Sequence, residues 1–490
     1  MRRDPVRVGL LSAAFACLVL VGIAGPSVAL PPLPGDGFAP PHLPWTVHPW
    51  LIIALQVAGY VLGAAGLWRG YRYPSALGLR AWHLAVIAIV LLMTAPFGTA
   101  DHTNYAAYGR ILALGGDPWA GSPLAYGPDP VIAAIQPPWQ DTANLYGPIA
   151  TALMGLGGLI GGDDTRQIVW VWQAIVVAAW LGVRELLRRV ADTESVDLWW
   201  TTNILVLGAG VLGAHVDTIA VLAIAAALVA AARHRPLLAG LAVGAAASTK
   251  VTSGVIGVAL IIGWFVVRRA KGETPPDLPS AGRWIGSLVG GAALVAIPAH
   301  LWAGRYVFDR LIEASGGVSY ATPWRALYTG LGFVMDESVA RTIASRGSAV
   351  VCVLLAWWLW KLTEPLLDQA SLLAQSARAL FVLFVAYALG SAYVLPWYEL
   401  PQWAALAVIA AVAARDGGHL WRVLIAVLIA RGLVLALAYV PGRVTLPHDV
   451  EVVTLGFRMV ASPLVTVVAW VVIGVLFARA RRERQESVTA

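Results

Sequence analysis

The sequence is poor in cysteine, in lysine and in charged residues altogether. It has 2 cysteines among 490 residues, and 12% of its residues are charged. Cys17 and Cys352 both lie within apolar stretches, so the sequence offers no disulfide between loops and no evidence about redox compartment. We find no internal repeat, coiled coil or low-complexity tail, which excludes repeat arrays. No three His, Asp or Glu residues stand at metal-ligand spacing, so no metal site is predicted.

Apolar residues are abundant. They make up 59% of the chain, and the mean hydropathy is +0.73. Runs of about 20 apolar residues, long enough to cross a bilayer, recur along the whole length. The net charge of +7 does not indicate nucleic-acid binding, because the basic residues cluster beside the ends of apolar runs, as in cytoplasmic loops. The pattern predicts an all-α polytopic protein embedded in a lipid bilayer, with no nucleic-acid partner.

We predict about fourteen membrane spans in a single domain, residues 1–490, with both termini in the cytoplasm. The predicted spans are residues 8–30, 50–68, 80–98, 166–187, 197–214, 216–232, 236–249, 252–268, 284–302, 347–362, 377–395, 401–415, 421–439 and 461–478. We expect residues 1–30 to be retained as a first helix and not removed as a signal peptide. The spans 236–249 and 252–268 are short, so they form either a tilted hairpin or a re-entrant pair.

Most of the polar sequence between the spans falls on the outer side of the cell membrane. The outer segments are residues 31–49, 99–165, 303–346 and 440–460. Cytoplasmic loops are mostly short and basic. A substrate site needs walls around it, and the polar segments that could form them lie mostly on the outer side. We therefore expect the site at the outer face.

Asp101 is the most informative single residue. It follows the apolar run 81–100 and lies near the start of the long loop 99–165. A carboxylate so close to hydrocarbon is energetically costly unless it has a role or a partner. One interpretation is an N-cap that binds free backbone N–H groups of a following helix. The other is a general base that removes a proton from a substrate hydroxyl. The helix after Asp101 is predicted to lie flat at the membrane interface, and residues 147–161 to form a second interfacial or re-entrant helix.

Three further features place polar residues at the ends of apolar runs. His215 and Asp217, in GAHVD, form either a polar turn or a wall that contacts a sugar or a phosphate. Lys250 is at the outer tip of the 236–268 hairpin, where it either extends to the interface or holds a lipid phosphate. Trp397 and Tyr398 are either interfacial anchors or rings that stack on a sugar.

Arg431 lies near the middle of an otherwise apolar span. A charge inside the membrane indicates a functional site by default. The alternative is a buried ion pair, with Glu399 as the candidate partner.

Several of these segments resemble those of a known group of enzymes. The loop DHTNYAAYGRILALGGDPWAGSPLAYGPDPVIAAIQPPWQDTANLYGPIATALM is similar to the first outer loop of actinobacterial polyprenol-phosphate-mannose-dependent α-1,6-mannosyltransferases. GAHVD and VLPWYELPQWAAL resemble two further segments of this family. The matching loop positions are Asp101, Tyr105, Tyr108, Gly115, Asp117, Pro118, Trp119, Asp129, Pro130, Trp139, Tyr146, Gly147 and Pro148.

The resemblance implies a glycosyltransferase of the GT-C fold class that acts on envelope glycolipids such as lipomannan. The donor would be β-linked mannose on a polyprenyl phosphate, the acceptor a glycolipid or lipoglycan, and Asp101 the base. The predicted substrate contacts are His102, Tyr105, Tyr108, Tyr146, His215, Asp217, Trp397, Tyr398 and Glu399. Lys250 or Arg431 would stabilise the lipid phosphate. No cofactor is firmly implied, and the sequence leaves dependence on a divalent metal open.

Two alternatives stay open. One is another GT-C enzyme that uses polyprenyl-phosphate arabinose or another sugar. The other is a polytopic transporter or flippase, although such proteins tend to have internal repeats and midplane charges. Here no repeat is found, and most candidate groups fall at outer helix ends.

Overall fold

A computed structural model describes residues 4–40, 42–43, 45–137, 139–272, 278–314, 316–413, 418–443 and 445–489. Across these residues the chain is all-α, as predicted, and the nearest approach to a strand is a single bridge between Leu367 and Ala413. The helices are α1 Pro5–Ile23, α2 Pro49–Arg72, α3 Ala81–Leu92, α4 Asp101–Ala113, α5 Pro130–Ala133, α6 Pro148–Gly161, α7 Thr165–Leu187, α8 Thr193–Val196, α9 Ile204–Val206, α10 Val216–Ala232, α11 Pro236–Thr249, α12 Val255–Ala270, α13 Leu278–Ala303, α14 Tyr306–Ala314, α15 Pro323–Leu331, α16 Glu337–Thr363, α17 Leu372–Gly390, α18 Leu400–Val412, α19 Gly418–Leu437 and α20 His448–Thr489.

The chain is a multi-pass membrane protein. Among the described residues, nine helices are long and apolar enough to cross a bilayer, and a bent pair of helices, Thr193–Thr201 and Ile204–Leu212, makes a tenth candidate. The bend of 42° falls on the predicted span 197–214. Each of the other predicted spans overlaps a helix, although some helices are short and the spans 8–30 and 377–395 run past helix ends at Ile23 and Gly390. The count of about fourteen therefore stays a prediction.

The predicted span 80–98 is longer than the helix that forms there. α3 ends at Leu92. Pro96 disfavours helical geometry in the residue before it, and Gly98 has a φ of +92°, so the chain cannot continue as a helix up to residue 98. This break turns the chain after α3 and leads directly into α4. The end of the predicted span 401–415 lies partly in residues 414–417, outside the described residues.

In the loop after α3, α4 is buried in the protein, whereas α6 buries one face and exposes Leu156, Leu159 and Ile160. α4 and α6 do form where helices were predicted, but α4 does not lie flat on the interface, because all its residues from His102 to Gly109 are buried. Glycines let the two helices touch: a Cβ on Gly109 would lie 2.1 Å from the Met154 carbonyl oxygen, and one on Gly158 would lie 2.3 Å from the Gly109 carbonyl oxygen. The close packing fixes α4, and with it Asp101, against the rest of the protein.

The interior and the lipid-facing surface belong to different helices. α17 and the first part of α18 are almost entirely buried. α13 instead exposes large apolar side chains, as a helix facing lipid does. The candidate site lies where the ends of these inner helices meet α4.

Candidate active site

Asp101 is the first residue of α4. The N-cap position belongs to Ala100, so the interpretation of Asp101 as an N-cap is wrong. The Asp101 backbone N–H donates to Thr99 Oγ1 at 3.2 Å. Its carboxylate is 21% exposed, and its Oδ2 lies 3.7 Å from His215 Nδ1. The carboxylate is therefore held inside the protein surface and is still open to a reactant.

The electrostatic surroundings of Asp101 suit a base. Burial, with a smaller contribution from Asp217, raises the pKa of Asp101 to about 7, although Lys250 and a hydrogen bond from Tyr105 lower it. Burial, with Lys250 and His102 contributing, holds the pKa of His215 well below its usual value. His215 is therefore neutral beside Asp101, and the contact between them is not an ion pair.

His215 is enclosed on several sides. Its ring stacks on Trp397 with centroids 3.5 Å apart and planes 12° apart. Tyr105 Oη lies 3.2 Å from His215 Nδ1 and Thr99 Oγ1 lies 3.4 Å from His215 Nε2. Tyr105 Oη is also 3.1 Å from Tyr146 Oη. The structure thus brings together Asp101 and four of the predicted substrate contacts.

The backbone just before His215 is strained. Ala214 has a φ of +52°, which is uncommon for a residue other than glycine, and its carbonyl accepts a hydrogen bond of 2.7 Å from Trp172 Nε1. Such strain persists where surrounding contacts hold it, and it is concentrated at functional sites. Here the strained residue directly precedes His215 in the chain.

Lys250 forms the second part of the site. Its Nζ lies 2.7 Å from Asp217 Oδ1 and 3.5 Å from the centre of the Tyr398 ring. Among the described residues, Asp217 Oδ2 and Ser248 Oγ are buried without a hydrogen-bond partner. Lys250 lowers the pKa of Asp101 and Asp217 raises it, so the charges of this second part act on the Asp101 carboxylate. A cation is therefore available near Asp101.

Arg431 and Glu399 are paired with each other. Both side chains are almost fully buried and form an ion pair, and Arg431 Nη2 also donates to the Ala388 carbonyl at 2.8 Å. This is the buried-pair alternative stated for Arg431. Because the pair occupies both groups, we carry neither the phosphate role of Arg431 nor the substrate contact of Glu399 into the proposed function.

His102 and Tyr108 have no hydrogen bond or ring contact with this cluster among the described residues. Neither ring nitrogen of His102 has a hydrogen-bond partner among the described residues, and burial lowers the pKa of His102 to about 3. Tyr108 Oη donates to the Thr142 carbonyl at 2.8 Å. Both side chains pack the loop, and their predicted contact with substrate stays untested.

Sequence analysis missed four residues beside the site. Gln56, Tyr60, Thr99 and Tyr439 line a cleft together with His215 and Trp397. Gln56 is an amide inside the apolar span 50–68, and that signal was visible in the sequence. No group of three or more His, Cys, Asp or Glu suited to a metal ion occurs in the part of the chain that the structure describes.

Comparison with known proteins identifies the family. Residues 7–268, more than half of the chain, match the model of the alpha-(1->6)-mannopyranosyltransferase family, N-terminal domain. The chain belongs to this family of membrane proteins. It is 24% identical over 343 residues to alpha-(1->6)-mannopyranosyltransferase B of Corynebacterium glutamicum, covering 63% of this chain and 55% of that protein. The chain thus spans about half the length of this relative. No solved structure matches the present chain.

Proposed function

We propose that this protein is an inverting mannosyltransferase of the outer face of the cell membrane. It transfers mannose from a polyprenyl-phosphate donor to a mannose hydroxyl of an envelope glycolipid or lipoglycan, and forms an α-1,6 linkage. The observation that carries the proposal is the Asp101 carboxylate, partly open, beside a neutral His215 and near Lys250. Family membership supports the sugar and the linkage.

The reaction needs one base and one anion-stabilising group. Asp101 takes the proton from the acceptor hydroxyl as that oxygen attacks the anomeric carbon of the donor. The bond between the anomeric carbon and the phosphate oxygen breaks, and its electron pair leaves with the polyprenyl phosphate. Attack from the face opposite the phosphate converts the β-linked donor into an α-linked product.

Lys250 stabilises the departing phosphate as a point charge. Its Nζ contacts Asp217 and the face of Tyr398, so the donor phosphate enters by exchanging with, or adding to, the Asp217 contact. The lipid donor accords with a site at the outer face, where nucleotide sugars are not supplied. The apolar helices around the site, in 236–302 and 377–440, provide a groove for the prenyl chain.

The test is Asp101→Asn in purified protein reconstituted into lipid, with polyprenyl-phosphate mannose and an α-1,6-linked mannoside acceptor. Asn keeps the size of the side chain but cannot accept the proton. Asp163→Asn is the matched control, because Asp163 is an exposed aspartate of the same loop. We expect transfer to fall at least about a hundredfold in Asp101→Asn, the lower range of general-base contributions, and to stay unchanged in Asp163→Asn.

The alternatives give different results in the same assay. Near-normal transfer by a folded Asp101→Asn protein would reject Asp101 as base. Transfer from polyprenyl-phosphate arabinose and not from the mannose donor would identify another GT-C enzyme. Movement of labelled lipid across the bilayer without transfer would identify a flippase.

A further inference from the structure

One face of α20 carries polar residues through the apolar part of this helix. Thr454, Arg458, Ser462 and Thr466 stand four residues apart, the spacing that aligns side chains along one side of a helix. The three hydroxyls each donate a hydrogen bond to a backbone carbonyl. Arg458 needs a separate explanation, because its charge lies within a candidate membrane span.

Arg458 is held in place by the residues that follow α19. Its Nε donates to the Ala438 carbonyl at 2.7 Å, and its guanidinium carbon lies 4.4 Å from the centre of the Tyr439 ring. Because α19 ends at Leu437, Arg458 lies level with the end of that candidate span, where lipid head groups are expected. The ring and the carbonyl therefore fix the guanidinium at the border of the membrane.

The charge of Arg458 has no counterpart in the part of the chain that the structure describes. There Arg458 forms no ion pair, and only its Nε has a hydrogen-bond acceptor. Two other buried arginines are each paired with a carboxylate, Arg184 with Asp197 and Arg431 with Glu399. A charge within a membrane span is costly without a partner, so we expect Arg458 to receive an anion from outside the chain.

The surroundings of Arg458 indicate which anion this is. Its neighbours on α20, Phe457, Met459 and Val460, are exposed apolar side chains of a membrane helix, so Arg458 borders the lipid. Arg458 itself is half-buried and can be reached from that side. At the level of the head groups a bilayer supplies phosphate, and the forked N–H groups of a guanidinium match phosphate oxygens.

Arg458 adjoins the wall of the candidate active site. The Tyr439 ring beneath its guanidinium lies 6.0 Å from the ring of Trp397, which stacks on His215. Tyr439 Oη is also 3.1 Å from Ser319 Oγ, so hydroxyl groups stand beside the cation. A lipid whose phosphate binds Arg458 therefore has its head group next to the residues that enclose the base.

We propose that Arg458 binds the phosphate of a second lipid, distinct from the donor, at the wall of the candidate active site. The cation assigned to the donor phosphate is Lys250, which contacts Asp217 and the Tyr398 ring. A transferase that joins two lipid-borne substrates needs a place for each lipid. The phospholipid anchor of the acceptor is one source of the phosphate, an assignment that rests on the proposed function, and a phospholipid of the bilayer is the other.

Lipid binding by the full-length protein in detergent tests the site without any reaction. Native mass spectrometry would follow the retention of phosphatidylglycerol as this lipid is titrated, with a phosphate-free diacylglycerol glycolipid as the control ligand. Arg458→Gln removes the charge, and Arg458→Met removes it with an apolar side chain suited to a membrane helix. Arg346→Gln, which replaces an exposed arginine of α16, is the matched control.

We expect both Arg458 variants to weaken the tightest phosphatidylglycerol site by about tenfold or more in Kd, the effect of losing a charged hydrogen bond. Arg346→Gln should bind like the unaltered protein, and the phosphate-free glycolipid should bind equally to all four. Phosphatidylglycerol binding that is the same in Arg458→Gln and Arg346→Gln would overturn the proposal. If Arg458→Gln does not fold, as thermal unfolding without added lipid would reveal, Arg458→Met decides.

Kinetics in phosphatidylcholine nanodiscs, with and without phosphatidylglycerol, identifies the source of the phosphate. The acceptors are an α-1,6-linked mannoside on a phospholipid anchor and the same mannoside on an uncharged alkyl chain. If the anchor occupies the site, Arg458→Gln raises the KM for the first acceptor alone. If a bilayer lipid does, phosphatidylglycerol stimulates transfer to both acceptors in the unaltered protein and in neither case in Arg458→Gln.

The outcomes for this site and for the proposed function are separate. A change in the donor KM alone would overturn the assignment of Arg458 to a second lipid. If no mannose transfer occurs but phosphatidylglycerol binding depends on Arg458, the lipid site is supported and the reaction proposed above is wrong.

Discussion

At the scale of single residues, the pKa of Asp101 predicts how transfer depends on pH. The base must be ionised to act, and burial raises its pKa to about 7. Activity should therefore be lost as pH falls through about 7, about tenfold per unit below it, whereas an ordinary aspartate would act down to about 4. The measurement is kcat/KM against pH for the reconstituted protein.

Two results would contradict this assignment. One is a pH profile that is flat down to about 5, because the group that acts as base would then have a pKa below about 5 and not the raised pKa of Asp101. The other is an unchanged acidic limb in the residual activity of Asp101→Asn, which would assign the titration to another group. Protein stability at each pH is the control, because loss of fold would imitate loss of base.

Lys250 gives a second prediction at this scale. Lys250→Ala removes the cation proposed for the donor phosphate, and we expect the donor KM to rise by about tenfold or more, the effect of losing a charged hydrogen bond. Lys271→Ala, which removes an exposed lysine at the end of α12, should change little. Kinetics with donor concentration as the variable would measure both effects.

Loss of Lys250 also leaves Asp217 buried without its partner, and an unpaired buried charge is destabilising in itself. The double variant Asp217→Asn with Lys250→Ala removes both charges and controls for this effect. Equal and small changes in donor KM for Lys250→Ala and Lys271→Ala would reject the phosphate role.

At the scale of elements, the packing of α4 on α6 is the most sensitive contact of the site. Gly109→Ala would place a Cβ 2.1 Å from the Met154 carbonyl oxygen, so one backbone must move. We expect a loss of about 1–3 kcal/mol in stability, the range for overpacking, together with reduced transfer because α4 carries Asp101. Thermal unfolding in detergent and the transfer assay would measure the two effects.

Gly286→Ala in α13 is the matched control. A Cβ there meets nothing within 4 Å, so the substitution should leave unfolding and transfer as they are. If Gly109→Ala behaved like Gly286→Ala, the close packing of α4 and α6 would not determine the position of the base.

The same elements show what the sequence could predict. Asp101, His215, Lys250 and Trp397 were each recognisable, because each interrupts or ends an apolar run. Which of them meet was not predictable, since contacts such as the stacking of His215 on Trp397 join residues far apart in the chain. The end of α3 at Leu92 was missed because hydropathy stays high through Phe97, while Pro96 and Gly98 set the backbone.

At the scale of the whole molecule, the candidate site is built from the ends of helices that are widely separated in sequence. Asp101 comes from the start of α4, Lys250 from the end of α11, and Trp397 from the turn before α18. The buried pair of Arg431 and Glu399 joins α19 to the same turn. Predicted substrate contacts and a stabilising ion pair therefore share one short segment, Trp397 to Glu399, in which hydropathy alone cannot separate the two roles.

Every part of the proposed function depends on which side of the membrane this site faces. The predicted topology places Phe333, which is 84% exposed, outside, and Glu483, near the end of α20, inside. In a protein with Cys17 and Cys352 replaced by alanine, a membrane-impermeant maleimide added to intact cells should label Phe333→Cys and not Glu483→Cys. Permeabilised cells should allow labelling of both. The reverse pattern would place Asp101 and Lys250 at the cytoplasmic face, where nucleotide sugars are available, and would remove the argument for a lipid-linked donor.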